Sequence, residues 1–315
     1  MIDTFKTDVK KGLSALPKFL SSKYFYDEAG DALFVKIMEM PEYYLTRAEM
    51  EIFTIQTKAL IKAFEVEKGS YFELIELGSG DGSKTKKLLK KLVQEDYLFD
   101  YCPVDISKHA LDHLKMDLKK EIPALRVIPK QGDYLDIMAN FKQSKHKKII
   151  LFLGSNIGNF SDELAMKFIH QLGSNLKKSD ILLLGVDLIK SAEIVLPAYN
   201  DKNGITAAFN LNLLKRINKE LVANFDLNKY KHTAEYNEEE GVSKSYLVSL
   251  EEQEVYINSL KESFYFKPNE KIHTEISRKY NDDVINQIVL NTDFQVKTKI
   301  IDAKAYFADY ILERF

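Results

Sequence analysis

Past residue 70, short apolar runs alternate with amphipathic stretches. The runs at 72–77, 101–105, 125–128, 148–153 and 181–187 are strand-sized, and segments near 84–95, 108–120 and 162–177 carry apolar residues at helical spacing. This interleaving predicts a parallel, doubly wound α/β sheet, whose ligands sit at the carboxyl ends of the strands. Small or polar residues suited to that position follow each of these runs: Gly78, Asp105, Gly132-Asp133-Tyr134, Gly154-Ser155-Asn156-Ile157-Gly158-Asn159 and Asp187.

The first seventy residues read as mostly helical. Their longest candidate, Thr46–Glu67, opens with Thr46 as N-cap and Glu49 three residues on, a capping-box spacing. After residue 189 the alternation stops. A helix around 205–223, a polar turn at Glu238-Glu239-Glu240-Gly241 and alternating runs at 243–249 and 253–258 predict an inserted helix and antiparallel meander. The α/β pattern resumes with a helix near 282–291 and two closing strands at 294–301 and 305–312. Two discontinuous domains are expected: 54–189 with 280–315 as the doubly wound part, and 1–53 with 190–279 as an α+β part. The cleft between them is the expected substrate site.

Length and composition agree with this division. A chain of 315 residues, 45% hydrophobic and 29% charged, can bury a large core in one large domain or two joined ones. A net charge of −2 and a pI near 6.4 offer no basic surface for tracking phosphates, so no nucleic-acid partner is expected. The lysines within 84–91 fit the solvated face of an amphipathic helix. One cysteine, Cys102, excludes an internal disulfide and suits a reducing cytoplasm. No stretch reads as a signal peptide or membrane span, so a cytoplasmic protein acting as a monomer is expected. The six histidines lack metal-ligand spacing, and His109 and His113 fit a helix surface, so no metal is expected.

The first strand candidate ends in Glu76-Leu-Gly78-Ser-Gly80-Asp-Gly82-Ser-Lys84-Thr85. Glycines there let the chain turn sharply and bring backbone N–H groups against a ligand, although such turns also serve as plain connections. Three ligand-binding readings compete. A dinucleotide fingerprint fails because its third glycine falls one place early, at Gly82. A P-loop fails at one position, Ser83 standing where the glycine before the lysine belongs. The E-x-G-x-G turn of S-adenosylmethionine (SAM) methyltransferases accounts for Glu76, near the methionine end, and for Asp105, one helix-length later, on the ribose hydroxyls.

Outside the sheet, Tyr24-Phe-Tyr26-Asp27 and Pro41-Glu-Tyr43-Tyr44-Leu-Thr-Arg47 are dense in aromatics with polar tips. Core packing with phenols at the rim explains any single one as well as ligand contact does. Phe152–Asn159, two glycines bracketing amides after an apolar strand, favours a ligand-facing loop. Lys271–Ser277 alternates like a strand, which puts His273, Glu275 and Ser277 on one face; a solvated edge strand would look the same.

Taken together these residues resemble the SAM-dependent L-histidine Nα-methyltransferases of ergothioneine biosynthesis, which form the trimethylammonium betaine hercynine. The resemblance spans nearly the whole chain. It rests on Lys23-Tyr-Phe-Tyr-Asp27, the Leu-Pro-Glu-Tyr-Tyr-x-Thr-Arg pattern with Met40 replacing its leading Leu, Glu76-Leu-Gly-Ser-Gly80 with Lys84-Thr85, and Pro103-Val-Asp105. Further matches are Gly132-Asp133, Phe152–Asn159, Leu184-Gly-Val-Asp187-Leu, Tyr199 with Gly204–Asn210, and Thr274-Glu-Ile-Ser277. It implies a class I, Rossmann-like SAM-methyltransferase sheet with a discontinuous α+β substrate-binding domain.

The resemblance also implies site residues. Glu76, Gly78, Gly80, Lys84, Asp105, Asp133, Tyr134 and Gly154 would hold the cofactor, Asp133 and Tyr134 at the adenine. Tyr43, Asn159 and Tyr199 would hold the amino acid, Glu275 and Ser277 would select the imidazole, and Tyr26 and Tyr43 would act near the α-amine. A position the family often fills with Met beside the imidazole is Ser245 here. Three rivals remain open: a methyltransferase of this architecture for another amino acid or imidazole compound, a P-loop nucleotide hydrolase, and a non-catalytic binding protein.

Overall fold

A computed structural model describes residues 2–315. Its elements run α1 (Ile2–Ser14), β1 (Lys18–Phe19), α2 (Glu28–Glu39), α3 (Leu45–Ile55), α4 (Thr57–Ala63), β2 (Phe72–Leu77), α5 (Thr85–Gln94), β3 (Phe99–Asp105) and α6 (Lys108–Glu121). Then come β4 (Lys130–Gln131), α7 (Tyr134–Phe141), β5 (Lys147–Phe152), α8 (Asp162–Gly173), β6 (Ile181–Asp187), α9 (Ala192–Tyr199), α10 (Ile205–Leu221), β7 (Tyr230–Asn237) and β8 (Val242–Ser249). The chain closes with β9 (Gln253–Ile257), β10 (Glu262–Phe266), β11 (Lys271–Arg278), α11 (Asp282–Val289), β12 (Phe294–Ile301) and β13 (Phe307–Arg314). Two compact units result, one from the residues through Tyr44 with Lys190–Ser277, the other from Leu45–Ile189 with Arg278–Phe315.

The second unit is built on a seven-stranded sheet in the order β12-β13-β6-β5-β2-β3-β4. Strands β4, β3, β2, β5 and β6 are parallel, and β13 runs antiparallel between β6 and β12. The order reverses at β2, which lies between β3 and β5. Turns leaving β2 and β5 therefore flank the switch point, where open α/β sheets bind ligands. Ile75, Ile150 and Leu182 face one core with α8 and α11, while Leu74, Ile149 and Leu183 face another with α3 to α6. Burial on both faces explains why these strands are continuous apolar runs.

Three local expectations are corrected here. The single helix over 46–67 is two, α3 and α4, parted at Gln56, and Thr46 lies inside α3 rather than capping it. The predicted domain boundary at 53/54 falls within α3; the units divide before Leu45 because Ala48, Ile52 and Phe53 pack in the sheet's core. At the sheet edge, the strand expected at 125–128 is a single bridge between Tyr101 and Val127, and β4 starts only at Lys130. Pro129 interrupts this ladder because it has no N–H to donate.

In the first unit, β1, β11, β8 and β7 form a four-stranded sheet, with β9 and β10 as a separate hairpin. Helix α10 supplies Phe209, Leu213, Leu214, Ile217 and Leu221 to its core, against Leu247, Val255, Phe266 and Ile272. Strand β7 and helix α9 were not expected. Half-exposed alternation hides the first, and Pro197 inside the helix hides the second.

Candidate active site

In the second unit the turn after β2 takes left-handed backbone at Gly78, Gly80 and Gly82. A Cβ at Gly78 would lie 2.7 Å from the Tyr134 hydroxyl and 3.3 Å from Asn156 Nδ2, so the missing side chain lets the tips of three loops approach one another. Gly80 is exposed, with open space where a side chain would be. Asp105 ends β3 half-buried and accepts the Ser107 N–H at 2.9 Å. Asp133, exposed, caps α7 by accepting the Leu135 N–H at 2.9 Å. Burial and the nearby Asp105 push the Tyr134 phenol up to about 12, so its hydroxyl stays protonated.

Glu76 is 3% exposed. Its carboxylate accepts the Thr85 hydroxyl at 2.7 Å and the Tyr101 hydroxyl, and burial raises its pKa to about 7. It braces the turn from within by fixing the first residue of α5, while Gly80 reaches the surface.

Lys84, at the start of α5, pairs with Glu49 of α3. Both Glu49 oxygens also accept the Gly154 N–H, at 2.9 and 3.0 Å. Burial alone would lower the lysine pKa, but the adjacent carboxylate holds it above the ordinary value. Glu49 therefore holds Lys84 and the Gly154 N–H rather than acting as a capping-box partner. Its position carries a signal in the sequence: Leu45, Ala48, Glu49, Ile52 and Phe53 are the buried stripe of α3, and Glu49 is its only charge. Thr85 is committed to Glu76, which removes the hydroxyl a P-loop hydrolase would use on magnesium.

After β5, Gly154 and Ser155 are left-handed and Asn156–Asn159 forms a 3-10 turn carrying Asn159. Ser155 Oγ accepts the Asp187 N–H at 3.0 Å. Asp187, offered by its place at a strand end, is instead wholly buried and ion-paired with buried Lys279 at 2.8 Å. It anchors the chain after β11.

The first unit collects the other predicted residues. Tyr26 meets Phe34 and Phe209 edge-on, at ring separations of 5.6 and 5.9 Å, and Tyr43 meets Phe34 at 6.3 Å. Phe34, outside every motif, thus meets both tyrosines, and Phe209, inside the Gly204–Asn210 match, meets Tyr26. On β11, Thr274 is buried and donates to Asn210 of α10 at 2.7 Å, Glu275 is half-buried, and Ser277 shares a 2.8 Å hydrogen bond with Tyr199. Ser245 on β8 is 1% exposed. Tyr26, Tyr43, Tyr199, Glu275 and Ser277 belong to this unit, and Asn159 to the other. Among the described residues no cluster of His, Cys, Asp and Glu could hold a metal ion, and no helix is long and apolar enough to cross a membrane.

A family model described as histidine-specific, SAM-dependent methyltransferase matches residues 5–314. The chain is 34% identical to the histidine N-alpha-methyltransferase of Mycolicibacterium smegmatis, over 88% of this chain and 85% of that one. It is 33% identical to the enzyme of the same name from Mycobacterium tuberculosis, over 89% and 85%. A solved glycopeptide N-methyltransferase, MtfA in complex with SAM, is similar at a TM-score of 0.43 and 12% identity, over 84% of this chain and 94% of that one. The chain belongs to the histidine-specific, SAM-dependent methyltransferases.

Proposed function

We propose that the protein methylates the α-amino nitrogen of L-histidine, in successive rounds, to the trimethylated betaine hercynine. The observation that carries this reading is the pairing of Tyr199 with Ser277 two residues from Glu275, in a chain matched to the family from end to end. Glu275 accepts the imidazole N–H beside Ser277, Tyr199 and Tyr43 hold the amino acid, and Tyr26 with Tyr43 flanks the amine. A carboxylate aimed at an imidazole N–H discriminates strongly against side chains without that donor.

In the second unit, Gly78 and Gly80 present bare backbone, Asp105 takes ribose hydroxyls, Asp133 and Tyr134 take the adenine, and Lys84 beside Gly154 supplies a positive charge for a carboxylate. Glu76 acts behind this surface. The residues fit the cofactor: the Gly78 position would clash with any Cβ, and Gly80 is exposed backbone with open space beside it. When bound, SAM supplies an electrophilic methyl on a sulfonium that departs neutral.

The protein's task is then alignment more than proton transfer. The α-amine must lose its proton before each transfer, and packing the tyrosines around it lowers its pKa by desolvation. Anchoring at carboxylate and imidazole keeps the frame fixed while methyl groups accumulate. The quaternary product has no lone pair, so the sequence stops by itself.

Incubation with SAM and an amino-acid mixture, read by product mass, tests the proposal. Trimethylated histidine is the expected product. Buried Ser245 removes side-chain volume where the family often has Met, so the mixture includes larger amino acids. Preferential methylation of one of those would move the reading to that substrate.

A further inference from the structure

Beneath the cofactor turn lie two carboxyl groups and one ammonium. Glu49 of α3 and Asp309 of β13 are both fully buried. They converge over Gly185 of β6, where a Cβ would sit 2.3 Å from Glu49 Oε1 and 3.0 Å from Asp309 Oδ1. Glu49 receives the Lys84 ammonium and the Gly154 N–H, whereas neither Asp309 oxygen has a hydrogen-bond partner. Two buried anions beside a single cation leave an uncompensated charge, which is costly in a low dielectric. A proton on Asp309 removes that charge. Burial and the Glu49 carboxylate both hold the Asp309 acid protonated well above the usual carboxylate range, against the opposing pull of Lys84.

Among the described residues, Lys84 alone pulls against that proton. From β2, Glu76 adds negative charge near Lys84. Lys279, after β11, is paired with Asp187 at the end of β6, and Lys299 with Asp282 lies on the opposite face of β13, at Tyr310. Glu51 of α3 is turned to the Ala303 N–H.

We propose that the Asp309 carboxylic acid is the alternate hydrogen-bond donor to Glu49, freeing the Lys84 ammonium to turn toward the carboxylate of the cofactor's methionine end. Asp309 and Glu49 are thus positioning residues for Lys84. The exchange moves no proton off the protein: Glu49 keeps a donor throughout, and Lys84 changes one carboxylate for another. The proposal rests on the reading that Lys84 meets that carboxylate.

Calorimetric binding of S-adenosylhomocysteine, which has the carboxylate, and of 5′-methylthioadenosine, which lacks it, from pH 6 to 10 tests the idea, with folding followed by melting temperature. In the unaltered protein, deprotonation of Asp309 locks Lys84 between two anions, so affinity for S-adenosylhomocysteine falls about tenfold or more toward alkaline pH. Asp309→Asn keeps a donor and cannot ionise; it binds within threefold of the parent at pH 7 and loses the protein's share of the alkaline fall. Asp309→Leu weakens S-adenosylhomocysteine about tenfold at pH 7 and spares methylthioadenosine. The ligand's own amine titrates equally in every variant, so the difference between proteins is read. An undiminished alkaline fall in Asp309→Asn, full affinity in Asp309→Leu, or equal losses for both ligands overturns the proposal. Lys84→Met separates the two levels: unchanged S-adenosylhomocysteine affinity there overturns the underlying reading, whereas selective loss with an indifferent Asp309 overturns only the exchange.

Discussion

Tyr199, the last residue of α9, and Ser277, near the end of β11, share a 2.8 Å hydrogen bond between side-chain oxygens in a buried setting. Each holds the other's side chain in place, so the two behave as one unit. Replacing Tyr199 with Phe leaves Ser277 without this partner, a penalty of about 1–3 kcal/mol. The KM for histidine is expected to rise about tenfold or more while the dissociation constant for SAM changes less than twofold; steady-state kinetics and calorimetry read the two separately.

Glu275→Ala removes the acceptor assigned to the imidazole. Histidine kcat/KM should fall by roughly two orders of magnitude or more, with SAM affinity nearly intact. Glu275→Gln, which keeps the shape and one acceptor oxygen, should lie between. A proportional loss of SAM binding in both variants would contradict the assigned role.

Gly78 has φ +74° and no room for a Cβ beside the Tyr134 hydroxyl. Gly78→Ala adds backbone strain of about 1–3 kcal/mol and pushes Tyr134 away. SAM affinity is expected to drop at least tenfold, and Tyr134→Phe in the same chain should recover part of it by removing the clashing oxygen.

Glu76 gives the protein a pH signature. Its folded pKa of about 7 lies above the ordinary 4.5 because burial favours the neutral acid. The folded state therefore binds the proton more tightly than the unfolded chain. The stability from this proton is fully present below about pH 4.5 and is lost as pH rises through about 7, by up to roughly 3 kcal/mol. Glu76→Gln keeps a neutral side chain at all pH, so its melting temperature relative to the parent should climb between pH 5 and 8. A constant difference across that range would contradict the shift.

Much of this was legible in the chain. Strands β2, β6 and β12 match their expected limits because buried or paired apolar runs end abruptly at glycine, aspartate or turn residues. The other misses have physical causes. The final strand starts at Phe307 instead of 305, since Asp302 accepts the N–H groups of Tyr306 and Phe307 at 2.7 Å each and holds that turn open. Glu49 reads in the sequence as a capping residue and Asp309 as an ordinary solvated charge, because only the third dimension brings Lys84 and Gly185 against them. The glycine turn and the strand-end acids could be read because backbone geometry demands particular residues there.

The Ile189 N–H donates to Tyr280 O and the Tyr280 N–H to Asp187 O, each at 2.8 Å, so the chain departs for residues 190–277 and returns at neighbouring points. Seen from the sheet, that long excursion is a cassette whose two ends are stitched together. Because entry and exit sit side by side, residues 190–277 can vary in length or content without displacing the strands they interrupt.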